Sequence, residues 1–388
     1  MTWALALLAV PACIPLCLVA FNAVFWTRGR VTAESSAVVG AVAPAGVSVL
    51  IPARDEVANI ERCVRAADAM RGPVAEIVVY DDGSTDGTIE ALAGLADEVP
   101  RLRVLRGDPL PDGWVGKPYA LHRLSEAAVS DVMLNIDADV TVERDCLVRM
   151  LSLMGALHAD LVTAVPRQLA GSFVERLMIP LLHLSYVAWL PMPLIHLTRD
   201  ARVLAANGQL LLIRRDALDS VGGWRGVRTA LVDDMALCRA VKNNGGRVVF
   251  ADGDAMARCR MYRDAPSLWR GFAKNIYEGI GGNPVAMILV AALHLLLFVA
   301  PYVVAPIAFL IGDRALAIAA MIGVAANICL RVIMALRYRH SALSVLLHPV
   351  AVLLMMGVLL TGYRWSRRGD IRWRGRSYAA RAQRESAA

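Results

Sequence analysis

The sequence predicts an α/β domain with a mostly parallel sheet, carried between apolar helical segments. Three observations lead there. Short β-branched runs alternate with helical stretches from about residue 47 to 250, the pattern of a sheet with helices on both faces. Acidic clusters stand where apolar runs end or helices begin: Asp81-Asp82 after run 76–80, Asp137-Ala138-Asp139 after run 132–136, and Asp233-Asp234 at a helix start. Stretches long enough to span a bilayer, with few or no charges, lie towards both ends of the chain.

The elements follow in order. Trp3 to Trp26 contains no charged residue across 24 positions and is followed by Arg28 and Arg30. It reads as an N-terminal anchor (1–30) whose basic end lies in the cytoplasm. A cleaved signal peptide fits less well, because no basic stretch precedes the run and no small-residue cleavage site follows it. Residues 31–46, rich in Ala, Gly and Ser, read as a linker. The domain expected over 47–283 opens with a buried strand at 47–51 and a helix to about Met70. Strand 76–80 and a helix over about 86–95 come next, followed by strand 102–105, helix 117–128 and strand 132–136. After a further helix come strand 161–165, strand 203–213, a helix from Asp233 and strand 247–250. Segment 173–197 interrupts this order. It is rich in Leu, Trp and Met, and prolines at 180, 191 and 193 exclude a straight spanning helix, so a kinked interfacial segment is expected.

Residues 284–365 hold three further apolar stretches, from Pro284 to Gly312, Ala315 to Leu336 and Ser344 to Gly362, ahead of a basic tail (366–388). A mean hydropathy of +0.50 with 19% charged residues is too apolar for an ordinary soluble enzyme. The net charge of +7 is concentrated near the C-terminus, where eight Arg follow Tyr363 against Asp370 and Glu385. Such a tail suits anionic lipid headgroups, and no aromatic-interleaved basic surface supports nucleic acid. One N-terminal and three later spans would leave that tail outside a cytoplasmic domain, so one stretch is expected to be re-entrant, with Pro301 and Pro306 in the longest. The seven scattered cysteines show no metal-ligand spacing and read as reduced thiols.

In an open α/β sheet, ligands bind beyond the carboxyl ends of the strands, so the first two acidic clusters face one crevice. Gathered carboxylates repel unless a cation or hydrogen-bonding ligand balances them, and a metal-bound, nucleotide-like substrate accounts for the pattern. Asp81-Asp82-Gly83 suits a strand end where a carboxylate meets a base N–H, or equally an Asp-Gly turn with Ser84, Thr85 or Asp86 capping the next helix. A lone D-x-D is usually a solvated turn, but Asp137 and Asp139 follow a buried strand, and carboxylates at i and i+2 can hold one hard divalent ion. For Asp233-Asp234, helix capping explains one residue but not both. Lys117 is either a solvated helix-start lysine or a phosphate ligand.

Taken jointly and in order, several stretches resemble glycosyltransferase family 2, in particular its membrane-bound, lipid-directed branch of hopanoid-associated, carotenoid and ceramide enzymes. These are residues 47–56, 77–88, Gly113-Trp-Val-Gly-Lys117, Asp137-Ala-Asp139, 232–237 and Trp269-Arg-Gly-Phe-Ala-Lys-Asn275, with an echo at 373–378. The resemblance implies the GT-A fold and inverting transfer of one sugar from a nucleotide-sugar, a UDP-hexose, to a membrane lipid with Mg or Mn as metal. It places nucleotide-sugar binding on Ala53, Glu56, Asp81, Asp82, Lys117 and Asp137, the metal on Asp137 and Asp139, and the catalytic base on Asp234. Asp233 stands where the family usually has Glu. The acceptor or diphosphate side is assigned to Asn207, Gly208, Gln209, Trp269, Arg270 and Lys274. The Gln-x-x-Arg-Trp element of processive members is absent, which argues against a polysaccharide synthase, and no acidic cluster is lost, which argues against a non-catalytic scaffold. The implied location is the inner (plasma) membrane, multi-pass, with a cytoplasmic catalytic domain.

Overall fold

The computed structural model describes residues 9–32, 35–369, 371–373 and 376–378. The first eight residues of the expected anchor, most of the basic tail and part of the 373–378 echo lie outside them.

Eight strands form the main sheet: β1 (Val47–Ala53), β2 (Val74–Asp81), β3 (Leu102–Arg106), β4 (Val132–Ile136), β5 (Val140–Val142), β6 (Leu161–Gln168), β7 (Leu210–Arg214) and β8 (Val248–Cys259). Their order is β3-β2-β1-β4-β7-β6-β8-β5. Four of the seven neighbouring pairs are parallel; β7 runs against both its neighbours, and β5 runs against β8. β1 and β4 are near-continuous Val, Leu and Ile because both faces of the sheet are covered.

The side-chain alternation sorts the core into two layers. Val49, Ile51, Ile77, Val79, Leu134 and Ile136 pack with helices Ile60–Asp68, Thr88–Ala96 and Cys146–Ala156. Leu50, Val78, Tyr80, Met133 and Leu211 pack on the other face with helices Gly116–Ala127 and Asp233–Asn243. The carboxyl ends of β1, β2 and β4 therefore open into one crevice.

Two sequence expectations change. Strand 203–213 shrinks to β7, and residues 203–209 run as irregular backbone into the crevice; their apolar side chains imitate a strand, but Asn207 and Gly208 turn the chain. The strand expected at 247–250 continues to Cys259, where its far end pairs with the unforeseen β5.

A third apolar cluster joins segment 173–197 to both ends of the chain. The segment forms helices Phe173–Met178, Pro180–Val187 and Leu194–Leu197, and its Met178, Leu184, Val187 and Ile195 are buried. Its entry is fixed by a capping box between Ser172 and Glu175. Burial opposes charge on Glu175, but Arg260 and the N–H groups of Gly171 and Ser172 hold its carboxyl down to about 2. Helix Val10–Phe25 is tied to the segment by Asn22, which donates to the carbonyls of Val187 and Leu190 and accepts from Met192 N–H, each at 2.8 Å.

Helices Arg314–Tyr338 and His348–Arg368 are long and apolar enough to cross a membrane. Ala265–Gly279 and Pro284–Phe298 would add a third span as one pair, bent by 113°. The stretch from Pro284 to Gly312 breaks after Phe298 and resumes as helix Ala300–Leu310, with Pro301 in its first turn. Leu289, Leu310 and Leu336 are exposed, so these helices carry apolar faces that nothing covers among the described residues.

Candidate active site

The loop after β1 is the first wall of the crevice. Asp55 takes a left-handed backbone (φ 52°), and residues 54–57 are stitched to 84–88 by Asp55 N–H to Ser84 Oγ, Thr85 N–H to Asp55 Oδ1 and Glu56 N–H to Thr88 Oγ1, all 2.9 Å. This turns Ala53, Arg54 and Glu56 into the crevice. Asp82, at the end of β2, lines it too, and Arg54 Nη1 stands 3.9 Å from its carboxylate. Asp81 is buried and turns back, accepting from Ser84 N–H at 3.3 Å, so it shapes the loop that presents Asp82. Asp86, the capping alternative, takes the Thr88 N–H; the turn and the crevice thus use different aspartates.

The D-x-D loop leaves β4 beside them. Lys117, one residue into its helix, reaches across to Asp137 with Nζ 2.6 Å from Oδ1. Burial alone would lower its proton affinity, but Asp137, Asp233 and Asp234 outweigh that and hold the ammonium charged. The solvated-lysine alternative is therefore not what the fold builds. Burial, with Asp137 and Glu56 nearby, pushes the Asp139 carboxyl up to about 7. Its Oδ1 is shut off from solvent without a hydrogen-bond partner.

Asp233 and Asp234 open helix Asp233–Asn243 opposite Lys117. Neither caps that helix through an N-cap side chain, and burial overrides the helix N-terminus: Asp233 is pushed up to about 6, and Asp234 is also raised. The Gly208 N–H donates to the Asp234 carboxylate. A Cβ on Gly208 would stand 3.2 Å from Asp234 Cβ and 3.3 Å from Lys117 Nζ, so only glycine leaves this corner open. Asn207 is fixed behind it, its backbone N–H and C=O both bonded to Thr163 Oγ1. Gln209, expected on the acceptor side, is buried against the D-x-D loop, where its carbonyl takes the Asp137 N–H at 3.2 Å.

These groups line one cavity of about 1430 Å³ that continues well beyond them. Its far part is walled by Leu181, Ser185, Tyr186 and Trp189, by Phe272, Ile276, Leu293 and His294, and by Val352, Met355, Met356 and Leu359. Arg270 and Lys274, one helical turn apart, stand on the wall with them. Trp269 does not: its indole N–H donates to Thr361 Oγ1 at 3.2 Å and its ring packs over Gly357. At this point of helix Ala265–Gly279 the indole, expected on the acceptor side, faces helix His348–Arg368.

Sequence reasoning missed Arg54, although it lies inside a quoted motif. Segment 173–197 and the C-terminal apolar stretches were expected to face a lipid acceptor, and Leu181, Trp189 and Met355 do line this cavity, whereas the part played by Phe272 and Ile276 was not foreseen. His294 carried a signal, being an ionisable residue inside an apolar stretch. Among the described residues no three His, Cys, Asp or Glu side chains form a ready metal cage. Asp137 and Asp139 supply hard oxygen donors, and the enclosed, unpartnered Asp139 Oδ1 fits a divalent ion that takes its remaining ligands from phosphate oxygens.

Residues 48–222 match the family model described as glycosyl transferase family 2. Among curated proteins, the chain is similar to the 4,4'-diaponeurosporenoate glycosyltransferase of Staphylococcus aureus (strain MRSA252), 24% identical over 342 residues, which cover 86% of this chain and 88% of the relative. Among solved structures it is similar to a mannosyltransferase from Pyrobaculum calidifontis in complex with GDP-Man and Mn2+. The TM-score is 0.56 at 19% identity, covering 93% of this chain and 97% of the other. The eight-stranded sheet and its helices have a GT-A-like fold.

Proposed function

We propose that this chain, whose residues 48–222 match the glycosyl transferase family 2 model, moves one hexose, with inversion, from a UDP-sugar to a membrane lipid. The observation that carries this reading is the single cavity, acidic and cationic where the strands end and apolar where the outer helices meet. A sugar donor and a long-chain acceptor need such adjoining chemistries. The carotenoid-acid transferase among the curated relatives is consistent with an acceptor of that kind.

In this reading Asp82 accepts from the base N–H, and Lys117, with Arg270 and Lys274 on the facing wall, balances the diphosphate. Asp137 and Asp139 would hold a divalent cation, which when bound supplies Lewis-acid stabilisation to the departing diphosphate. Asp234 takes the proton from the acceptor hydroxyl as that oxygen attacks the anomeric carbon from the face opposite the diphosphate. Gly208 fixes the Asp234 carboxylate by its N–H and leaves room for the sugar. The apolar walls exclude water, which would otherwise compete as acceptor. A processive synthase would need a polar path for a growing chain; the apolar far wall argues for single transfer. The outer helices and the basic end of the first helix support a multi-pass membrane protein with the domain on the cytoplasmic side.

The test is to incubate the protein in nanodiscs with radiolabelled UDP-hexoses and the host's lipid extract, then resolve the products by mass spectrometry. One labelled lipid carrying a single hexose is expected. Donor hydrolysis without any lipid-linked sugar, or a ladder of oligosaccharides, overturns the reading.

A further inference from the structure

Behind the D-x-D loop runs a row of buried polar side chains that the proposed reaction does not touch. Gln168 Nε2 donates to Pro166 O at 3.0 Å and to Gln209 Oε1 at 2.8 Å. With its oxygen so used, Gln209 turns its amide nitrogen the other way and donates to Cys259 Sγ at 3.1 Å. On its other side the Cys259 thiol stands against the Asp139 carboxylate, near enough to donate its S–H to it. All three side chains are buried, Cys259 to 1% exposure. Backbone register holds the row in place: Cys259 pairs with Val140, the residue after Asp139, and Gln209 carries the Asp137 N–H on its carbonyl.

A buried thiol is more often plain core filling, and the other cysteine at this loop shows what that looks like. Cys63 is equally buried, but its Sγ stands 3.8 Å from the backbone carbonyl of Asp137 and bonds no carboxylate in the site. Two thiols flank one loop: Cys63 meets only the backbone of Asp137, whereas Cys259 stands against the side-chain carboxylate of Asp139.

We propose that Cys259, itself held by Gln209 and Gln168, is a positioning residue that orients the Asp139 carboxylate for the divalent cation. The inference rests on the metal-assisted reading above. Groups behind a metal ligand fix its rotamer, and losing one typically weakens metal binding by about 10- to 100-fold.

The experiment uses the full chain in nanodiscs with UDP and follows Mn2+ binding by electron paramagnetic resonance, alongside melting temperature. Cys259→Ala is expected to weaken Mn2+ binding by about 10-fold, whereas Cys259→Ser, which keeps a donor and an acceptor, stays within about 3-fold of wild type. Cys63→Ala should leave Mn2+ affinity unchanged, and metal-free UDP affinity should be the same in all four proteins. Equal Mn2+ affinity in Cys259→Ala and wild type overturns the proposal, as does an equal loss in Cys63→Ala. Should Cys259→Ala not fold, a Cys259→Ser protein that has lost Mn2+ binding overturns it as well. Wild type that binds UDP but no Mn2+ sinks the metal-assisted reading itself, and this inference with it.

Discussion

The two halves of the cavity are built differently. The nucleotide-facing half is assembled from strand ends and the turns that follow them, where three parallel strands fix Ala53, Asp82 and Asp137 side by side. The apolar half, proposed to take the acceptor, is assembled from helices far apart in the chain, within 181–189, 270–294 and 352–359, meeting through apolar packing. In the proposed reading the polar half selects by charge and hydrogen bonds, whose loss is costly and abrupt. The other selects by shape and hydrophobic area, whose loss is graded. Changes in the first half should therefore switch transfer off, and changes in the second should rescale it.

The largest effect is expected at the D-x-D loop. Asp139→Ala should abolish transfer and remove the metal enhancement of donor binding, measured by titrating nucleotide-sugar with and without Mn2+. Enhancement that survives the substitution would separate this loop from the metal.

Asp234→Asn comes next. It keeps volume and the contact with Gly208, yet removes the group assigned to proton abstraction, so transfer should fall about 100-fold or more while donor binding holds. Asp233→Asn should cost less; the reverse order would move the base to Asp233. The pH profile sharpens the same point. Burial raises both carboxyls, Asp233 to about 6, so this half of the cavity takes up a proton as pH falls through that region. A protonated carboxyl is no base, so kcat/KM should be flat above about pH 7 and decline below about pH 6. A profile flat to pH 5 would exclude the pair as the base.

The same contrast explains what was legible in the sequence. Asp82, Asp137 and Lys117 belong to short motifs whose residues stay neighbours in the fold, so chain order alone located them. Segment 173–197 stood out by its prolines and apolar composition, but Ile276 and Met355 share an apolar pattern with any packed or lipid-facing helix, and nothing local says which side faces a cavity. Trp269 shows the same difficulty: beside Arg270 it reads as part of a site, and only the neighbouring helix shows that its indole bonds Thr361. Residues 203–206, Val-Leu-Ala-Ala, have strand composition, but the site needs irregular backbone there to bring Gly208 to Asp234. The Gln168–Gln209–Cys259 row joins residues 41 and 50 positions apart, beyond the reach of any local pattern.

On the apolar side, Met356→Ser should raise KM for the lipid acceptor by about 10-fold, since losing most of one buried side chain's contact is worth about 1.4 kcal/mol. Donor affinity and donor hydrolysis should stay near wild type. Equal loss of all three would mean that this wall supports the fold rather than the acceptor.

The smallest effect on turnover is expected at Trp269, and it bears on the boundary between the halves. Its neighbours Arg270 and Lys274 face the cavity, whereas its indole packs over Gly357 and bonds Thr361. Trp269→Phe keeps most of the ring area and removes the N–H, leaving Thr361 Oγ1 its bond to the Gly357 carbonyl. The loss of one neutral hydrogen bond costs about 1 kcal/mol. Thermal unfolding in nanodiscs should show a lowered midpoint, with KM for donor and acceptor both unchanged. A shift in either KM without a change in midpoint would return Trp269 to the site and extend the cavity past the helix face drawn for it here.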